Sequence, residues 1–280
     1  MSMENFTPIH INAERGDFDG NGAYGRYVLI PGSEGRAEKI ASWWKDVVVK
    51  KHPRNHNLYL GKMETETGDI DMAVISTGIG PASADIIINE LIGLGARNLI
   101  RVGTSGSMQP DYIPAGSVVV PTGSVKDEST SSRYLPAEIP AIPSLEFVLA
   151  ACSAYKEMLA EPSGTLSHQV FFGIAHSKDS LYAREMGAGP KRRENEEYMR
   201  LLKEGGVLAS EMETSILFTL GQIYSQQCRR AGNTPVLTGA VLAVIGGSTP
   251  FGDKETEASA IDAAISFCLR TIEVLNNSRS

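Results

Sequence analysis

Short apolar runs that end in glycine or proline alternate along the chain with stretches whose apolar residues recur every three or four positions. The runs have the length of buried strands. The spacing of the apolar residues within the other stretches is that of amphipathic helices. This alternation is typical of an α/β fold with largely parallel strand pairing. The predicted strands are 27–30, 57–65, 70–77, 99–103, 117–122, 168–175 and 236–245. The predicted helices begin at Ser33 and cover 81–94, 145–159, 194–204, 210–228 and 253–275.

Three stretches lack either period. Residues 1–26 are polar and glycine-rich and are expected to form an arm or loop. Residues 127–143 are rich in serine, proline and glutamate and are expected to form a surface loop or a subunit contact. The last residues, 276–280, are expected to fray. The length of 280 residues, without a long low-complexity stretch, suits one large domain. A single domain, residues 1–280, is predicted.

One of the apolar runs contains an arginine, Arg101. A guanidinium inside a sheet is very costly unless an anion compensates its charge, so Arg101 is predicted to face a carboxylate or a phosphate. Gly103 and Gly106 would let the backbone approach a ligand, and Thr104 adds a hydroxyl. These residues indicate an oxyanion site at the carboxyl end of a strand. The alternative is a glycine-rich turn with Arg101 at an exposed edge.

A second arginine, Arg36, lies in the first turn of the helix that begins after Gly32. A strand, a glycine turn and a helix N-terminus form a common anion-binding arrangement. A cation is unfavourable near that end of a helix unless an anion lies beside it. Arg36 is therefore a candidate ligand for an anion, and the alternative is an ordinary surface arginine.

The segment Glu211, Met212 and Glu213 opens another predicted helix. Ser210 and Glu213 have the spacing of a capping box, which predicts a purely structural role for both side chains. The functional alternative is that the closely spaced carboxylates bind sugar hydroxyls while Met212 packs against an apolar face of the ligand.

Composition excludes several classes of protein. The net charge of −7 disfavours a general nucleic-acid binder. Cys152, Cys228 and Cys268 are too scattered for a disulfide framework or a zinc site. The sequence has neither the pattern of a secretory signal nor an apolar run that would span a bilayer, so a cytoplasmic location is expected. No Walker loop, Gly-x-Ser-x-Gly elbow or metal-spaced His/Cys cluster is present, which leaves arginines, hydroxyls and carboxylates for chemistry on an anion and a polyol.

Four stretches resemble, in order, the nucleoside phosphorylase superfamily of the uridine phosphorylase type. They are Pro31–Ala41, Ser76–Gly80, Leu99–Pro110 and Glu211–Glu213, and the similarity extends over 8–275. The resemblance implies a three-layer α/β/α sandwich around a mixed, barrel-like central sheet. It also implies a homodimer with shared active sites, possible higher homo-oligomers, and an N-terminal arm, 1–26, that reaches the neighbouring subunit.

The resemblance implies phosphate, ribose and base sites. For phosphate it implies Gly32, Arg36, Arg101 and Thr104, with Arg54 from the neighbouring subunit. For ribose it implies Thr104, Glu211, Met212 and Glu213, with His10 from the neighbour. For the base it implies Gly106, Leu181, Arg184 and Glu185. The implied catalytic residues are Arg101, Thr104 and Glu213.

The activity that the resemblance implies is phosphorolysis of uridine to uracil and ribose 1-phosphate. Phosphate is the expected co-substrate, and no cofactor, metal, nucleic acid or membrane is expected to take part. Some family members hold a cation at the dimer interface, near the positions of Ile79 and Ser83. Asn55 stands here in place of the usual glutamate, so that cation is not predicted.

The choice of base is the weakest part of the resemblance. Residues 244–247 lack the aspartate that protonates the base in purine enzymes, which favours a pyrimidine. Glu185 and Gly187, however, stand where uridine phosphorylases carry glutamine and arginine. Either Arg184 takes the place of the missing arginine through a shifted loop, or base specificity is relaxed or changed. The alternatives are a purine nucleoside phosphorylase, a nucleoside- or phosphate-binding protein without turnover, and an unrelated parallel-sheet protein.

Overall fold

The computed structural model describes residues 6–160, 168–247 and 253–279. Within those residues the chain alternates between strands and helices, as the apolar pattern predicts. The strands are β1 (Tyr27–Leu29), β2 (Lys45–Lys50), β3 (Leu58–Thr65), β4 (Gly68–Val74), β5 (Asn98–Ser107), β6 (Val118–Asp127), β7 (Val170–Lys178), β8 (Ala209–Glu211) and β9 (Leu237–Gly246). The helices are α1 (Glu34–Ala41), α2 (Pro81–Gly93), α3 (Leu145–Ala160), α4 (Leu181–Arg184), α5 (Arg192–Glu204), α6 (Thr214–Arg230) and α7 (Lys254–Arg279).

The strands of the described residues form one mixed sheet that closes on itself at one end. Its order is β2-β3-β4-β1-β5-β8-β7-β6-β9, and β9 pairs back onto β5 in parallel. Five strands, β5 to β9, therefore make a closed barrel, whereas β1 to β4 extend from it as an open sheet. The mixed, barrel-like central sheet implied by the resemblance is confirmed.

Helices cover both faces of the open part of the sheet. Along β1, Tyr27 and Leu29 pack in one core with helices α1, α3 and α7, while Val28 packs in a second core with α2 and α6. Successive side chains of a strand point to opposite faces, so a strand buried on both faces reads as a continuous apolar run. The architecture is the expected three-layer sandwich.

The apolar pattern missed two strands, β2 and β8, and misplaced one chain end. Strand β2 is an exposed edge strand with the sequence Lys-Asp-Val-Val-Val-Lys, which has no buried face to create a period of two. The expected fraying is wrong for residues 276–279, which continue helix α7. Arg279 holds that end, because its guanidinium donates to Glu146 and Asn98. Residue 280 lies outside the described residues.

The N-terminal segment is irregular, as predicted, and part of it packs on its own chain. Ile11 and Phe18 are buried in the core beside α2, and residues 15–18 form a short 3₁₀ helix. The backbone of His10 donates to the carboxylate of Glu90 on α2. Residues 1–5 lie outside the described residues, and a contact of the arm with a neighbouring subunit stays a prediction. In the described part of the chain, no helix combines the length and the apolarity that crossing a bilayer requires.

Gly239 lets helix α3 approach strand β9, which forms part of the barrel wall. A Cβ atom at this position would lie 2.2–2.6 Å from ring atoms of Phe147, a fully buried side chain. We expect Gly239→Ala to lower the free energy of unfolding by about 1–3 kcal/mol, because the buried ring has no room to move. Denaturant unfolding measures this change.

Gly35 provides the matched control, since a Cβ there would meet open space on helix α1. Gly35→Ala should leave stability unchanged or raise it by up to about 1 kcal/mol. Equal effects of the two substitutions would contradict the packing described here.

Candidate active site

A cavity of about 330 Å³ opens where the carboxyl ends of β5 and β9 meet β8 and the start of α6. It draws its lining from six separate parts of the chain. The predicted site residues that line it are Gly32, Arg36, Arg101, Thr104, Gly106, Leu181, Glu185, Glu211, Met212 and Glu213. The fold therefore brings together residues that are up to 181 positions apart in the chain, from Gly32 to Glu213.

Arg101 is buried and ion-paired within its own chain. Its Nε lies 3.1 Å from Oε2 of Glu211, and its Nη2 contacts Oε2 of Glu213. The side chain is only 5% exposed, so the alternative of an arginine at an exposed edge is wrong. The prediction of an anionic partner is met by two carboxylates. Burial of Arg101 therefore does not by itself require a bound phosphate.

Two buried guanidinium nitrogens at this cavity nevertheless lack a hydrogen-bond partner among the described residues. Nη1 of Arg101 and Nε of Arg36 make no hydrogen bond to any described residue. Nη1 lies beside Gly32, 3.9 Å from where a Cβ of that residue would stand. Desolvation, together with the nearby charge of Arg101, lowers the pKa of Arg36 to about 10. Two neighbouring cations with unused donors would both be stabilised by an anion in the cavity.

Glu211 holds the start of helix α6. Its carboxylate accepts hydrogen bonds from the backbone N–H groups of Glu213 and Thr214 and from the hydroxyls of Ser177 and Thr214. Burial opposes ionisation, but Arg101 and these donors outweigh it and lower the pKa of Glu211. The predicted capping box between Ser210 and Glu213 is wrong, because Ser210 lies on β8 and Glu211 caps the helix instead.

Glu213 is left to face the cavity. One oxygen accepts the N–H of Gly80, 2.6 Å away at the start of α2, and the other contacts Arg101. Burial raises the pKa of Glu213 against the effect of Arg101, and the adjacent charge of Glu211 adds to the increase. A fixed carboxylate in a cavity can accept hydrogen bonds from a pair of hydroxyls.

The glycines of β5 have two different roles. Gly103 makes room for Arg101, since a Cβ would lie 2.9 Å from Nε of Arg101 and 2.9 Å from Leu242. The expectation that Gly103 serves a close approach of backbone to ligand is therefore wrong. Gly106 does face open space in the cavity, and Thr104 lines the same wall.

Comparison with known proteins identifies the family. The phosphorylase superfamily model matches residues 26–259. The chain belongs to the phosphorylase superfamily.

Individual phosphorylases show the same relationship over most of the chain. A uridine phosphorylase of Treponema pallidum is 35% identical over 254 residues, which are 90% of each chain. A guanosine phosphorylase of Halorubrum lacusprofundi is 28% identical over 84% of each chain. The crystal structure of a uridine phosphorylase from Vibrio fischeri superposes with a TM-score of 0.71 at 23% identity, covering 96% of this chain and 99% of that one. That structural match supports the phosphorylase fold alone.

Three predicted site residues lie outside this phosphorylase cavity. Arg54 is exposed in the turn between β2 and β3. Nδ1 of His10 lies 2.7 Å from Glu90. Both were expected to serve a neighbouring subunit, and that role stays a prediction. Arg184 pairs with Asp127 and donates to Asn195, beside a separate cavity of about 760 Å³. The structure therefore does not place Arg184 where it could compensate for the missing arginine.

Sequence reasoning missed Lys178 and Ser210, which also line the phosphorylase cavity. The strand predicted at 168–175 stopped short of Lys178, because a lysine at a strand end is usually solvated. Lys178 is 2% exposed. The local sequence, Ala175 to Lys178, carries no signal that would separate a buried lysine from a solvated one.

Removal of Arg101 should destabilise this phosphorylase strongly. Arg101→Ala leaves Glu211 and Glu213 buried without their cation, and we expect a loss of about 3–5 kcal/mol at neutral pH. Without the guanidinium, the pKa values of both carboxyls rise, so the loss should shrink as the pH falls and they take up protons. Denaturant unfolding at several pH values measures the effect.

Arg200→Ala is the control, because Arg200 pairs with Glu197 and Glu204 on the exposed face of α5. It should change stability little at any pH. A small, pH-independent effect of Arg101→Ala would contradict the pairing described above.

Proposed function

We propose that this member of the phosphorylase superfamily catalyses the phosphorolysis of uridine to uracil and ribose 1-phosphate, which makes it a pentosyltransferase of pyrimidine salvage. The observation that carries the proposal is the pair of unpartnered guanidinium nitrogens, on Arg36 and Arg101, next to the carboxylate of Glu213. An anion and a polyol would use those groups together. The 35% identity to a uridine phosphorylase supports uridine as the substrate.

Arg36, Arg101 and Thr104 would bind phosphate, together with the backbone N–H of Gly32. Oxygen atoms of a phosphate held there would satisfy Nη1 of Arg101 and Nε of Arg36. Arg101 joins this phosphate site to the sugar site, because the same guanidinium contacts Glu213. Phosphate is a co-substrate in this proposal, and the chain's own residues supply the remaining interactions.

Glu213 would bind the ribose 2′ and 3′ hydroxyls, with Met212 packed against the sugar. Glu211 would support both by fixing Arg101 and the start of α6. As the glycosidic bond breaks, positive charge develops on the sugar and the bonding electron pair leaves with the base. The phosphate dianion stabilises that cation and then bonds to C1′. The proton that hydrogen phosphate loses balances the proton that uracil gains.

A homodimer would complete the site. Arg54 and His10 lie outside the cavity of their own chain, so they are available to a neighbouring subunit. Ile79 lines the cavity and is 79% exposed, and Ile9 is 75% exposed, so a neighbouring subunit would cover apolar side chains that are open in the single chain. We place the reaction in the cytoplasm, where Cys152, Cys228 and Cys268 would stay free thiols as in this structure.

Guanosine or inosine is the second candidate substrate. Glu185 lines the cavity, and a carboxylate can accept the adjacent N–H groups of guanine. The similarity to a guanosine phosphorylase agrees with this possibility. The exit of β9, Ile245 to Gly247, carries no carboxylate. An aspartate at that place protonates the base in purine enzymes of the resembling type, and its absence favours uridine.

Turnover of nucleosides tests the proposal directly. Purified protein with uridine should lose absorbance in the ultraviolet only when phosphate is added, and ribose 1-phosphate should accumulate in equal amount. Inosine and guanosine should react at least about 10-fold more slowly in kcat/KM, a difference of about 1.4 kcal/mol in transition-state binding. Turnover of a purine nucleoside alone would reject uridine as the substrate. Binding of uridine without product would identify a binding protein.

Acid should weaken nucleoside use through Glu213. Because the pKa of Glu213 is raised, its ionised form is lost at a higher pH than for an ordinary carboxyl, and a protonated group accepts fewer hydrogen bonds. With phosphate saturating, kcat/KM for uridine should therefore fall as the pH drops below neutrality. Glu213→Gln should lower kcat/KM by about 100-fold at neutral pH, from the loss of charge-assisted bonds. Its decline with acid should be smaller than that of the wild-type protein, because only the protonation of phosphate itself then remains. Parallel pH profiles for the two proteins would show that another group is responsible.

A further inference from the structure

Lys178 is a buried cation at the cavity to which the proposed phosphate and ribose sites give no role. It ends strand β7, and its side chain is 2% exposed. Nζ lies 2.8 Å from Oε1 of Glu185 and 2.8 Å from the hydroxyl of Ser210. The third contact, to the backbone oxygen of Glu211, is longer at 3.3 Å. A buried ammonium is costly, so its retention at a ligand cavity indicates a function.

A chain of hydrogen bonds anchors Lys178 in place. The hydroxyl of Ser210 also contacts Nδ1 of His176 at 2.9 Å, and Nε2 of His176 lies 2.9 Å from Oδ2 of Asp127. His176 is fully buried and is aligned with Ser210 in the pairing of β7 with β8. The ammonium therefore has a fixed position on the barrel wall. Of its three N–H groups, the one directed to the backbone oxygen of Glu211 makes the longest and weakest hydrogen bond. That N–H group can donate to a ligand instead.

Glu185 is the accessible half of the ion pair. Its side chain is 24% exposed, compared with 2% for Lys178, and it follows the short helix α4. Lys178 contacts one oxygen of the carboxylate, Oε1, which leaves Oε2 for another donor. Both residues line the same cavity as Arg101 and Glu213. The cavity wall thus presents a hydrogen-bond donor directly beside an acceptor.

We infer that Lys178 and Glu185 together recognise the base, with Lys178 donating to a ring carbonyl oxygen and Glu185 accepting the adjacent ring N–H. The inference rests on the proposed function and specifies its substrate class. Uracil, thymine, hypoxanthine and guanine all carry a carbonyl beside a ring N–H. Cytosine and adenine carry an amino group beside an unprotonated ring nitrogen, which reverses donor and acceptor. A buried donor facing a donor is strongly unfavourable, so the pair selects against those two bases.

Lys178 also assists bond cleavage. The electron pair of the glycosidic bond leaves with the base and spreads onto its carbonyl oxygens. A positive charge fixed beside one of those oxygens stabilises the transition state more than the ground state, because the base is neutral in the ground state. Lys178 therefore affects kcat as well as specificity, and its effect depends on how well the base itself bears negative charge.

Comparison of two leaving groups tests the role of Lys178. Lys178→Met should lower kcat/KM for uridine by about 100-fold or more. The loss should be at least about 10-fold smaller for 5-fluorouridine, whose electron-withdrawing fluorine already stabilises the departing base. Lys178→Arg, which keeps the charge, should retain the wild-type ratio of the two substrates. Lys203→Met is the matched control, because Lys203 faces Asp111 on the surface, and it should leave both rates unchanged. An equal loss for both nucleosides in Lys178→Met would overturn the inference.

Base selection tests the role of Glu185. Glu185→Gln keeps an acceptor oxygen and should retain preference for uridine over cytidine, whereas Glu185→Lys should lose it. Direct binding of uracil, measured by calorimetry in the presence of inorganic phosphate, checks the pair without turnover, because uracil and phosphate cannot react with each other. Uracil should bind the wild-type protein at least about 10-fold more tightly than Lys178→Met. Circular dichroism establishes that each variant is folded, and equal affinity of folded proteins would contradict the inference.

The outcomes separate this inference from the proposed function. If the wild-type protein uses inosine and not uridine, the proposed substrate is wrong, and the pair is tested by inosine against adenosine. If the wild-type protein turns over no nucleoside, binding of uracil and hypoxanthine to wild type and to Lys178→Met still decides the role of the pair. The third outcome is that uridine is turned over and that Lys178→Met and Lys203→Met have the same ratio of kcat/KM for uridine to kcat/KM for 5-fluorouridine. In that case the proposed function stands and the inference fails.

Discussion

The structure depends on one buried guanidinium held between two carboxylates. Arg101 cannot stay inside the barrel wall without negative partners, and Glu211 and Glu213 cannot stay buried without a cation. Their pairing joins strand β5 to the start of helix α6, which are 110 residues apart in the chain between Arg101 and Glu211. An ion pair of this kind contributes little net stability compared with apolar packing, but it places charged groups at fixed positions in a cavity. That placement is what chemistry on an anion and a polyol needs.

The closed barrel brings these groups together. Strand β5 pairs with β1 at its start and with β8 and β9 at its carboxyl end, so the residues of its second half lie inside the barrel wall. Gly103 leaves space for the guanidinium, and Gly80 donates its backbone N–H to Glu213 from the start of a second helix. The two carboxylates then differ in environment. Glu211 is surrounded by donors and stays ionised, whereas Glu213 has fewer and a raised pKa. In the proposed function, the role of ligand acceptor therefore falls to Glu213, which lines the cavity.

Much of this fold could be predicted from the sequence, because strands buried on both faces and amphipathic helices leave clear apolar periods. Edge strand β2 could not, since its valines are exposed and no buried face imposes a period. Within the cavity, Arg101 was found because arginine is rare in an apolar run. Lys178 was missed, because nothing in its local sequence distinguishes a buried lysine from a solvated one. The capping-box spacing at Ser210 and Glu213 misled for a related reason: tertiary partners, Lys178 for Ser210 and Gly80 for Glu213, engage both side chains.

The most direct test of the account is a crystal structure of the protein grown with inorganic phosphate. The account predicts a phosphate beside Gly32, with one oxygen within hydrogen-bond distance of Nη1 of Arg101 and another near Nε of Arg36, while Arg101 keeps its contacts to Glu211 and Glu213. A phosphate bound elsewhere, with Nη1 of Arg101 still unpartnered and the cavity holding only water, would contradict it.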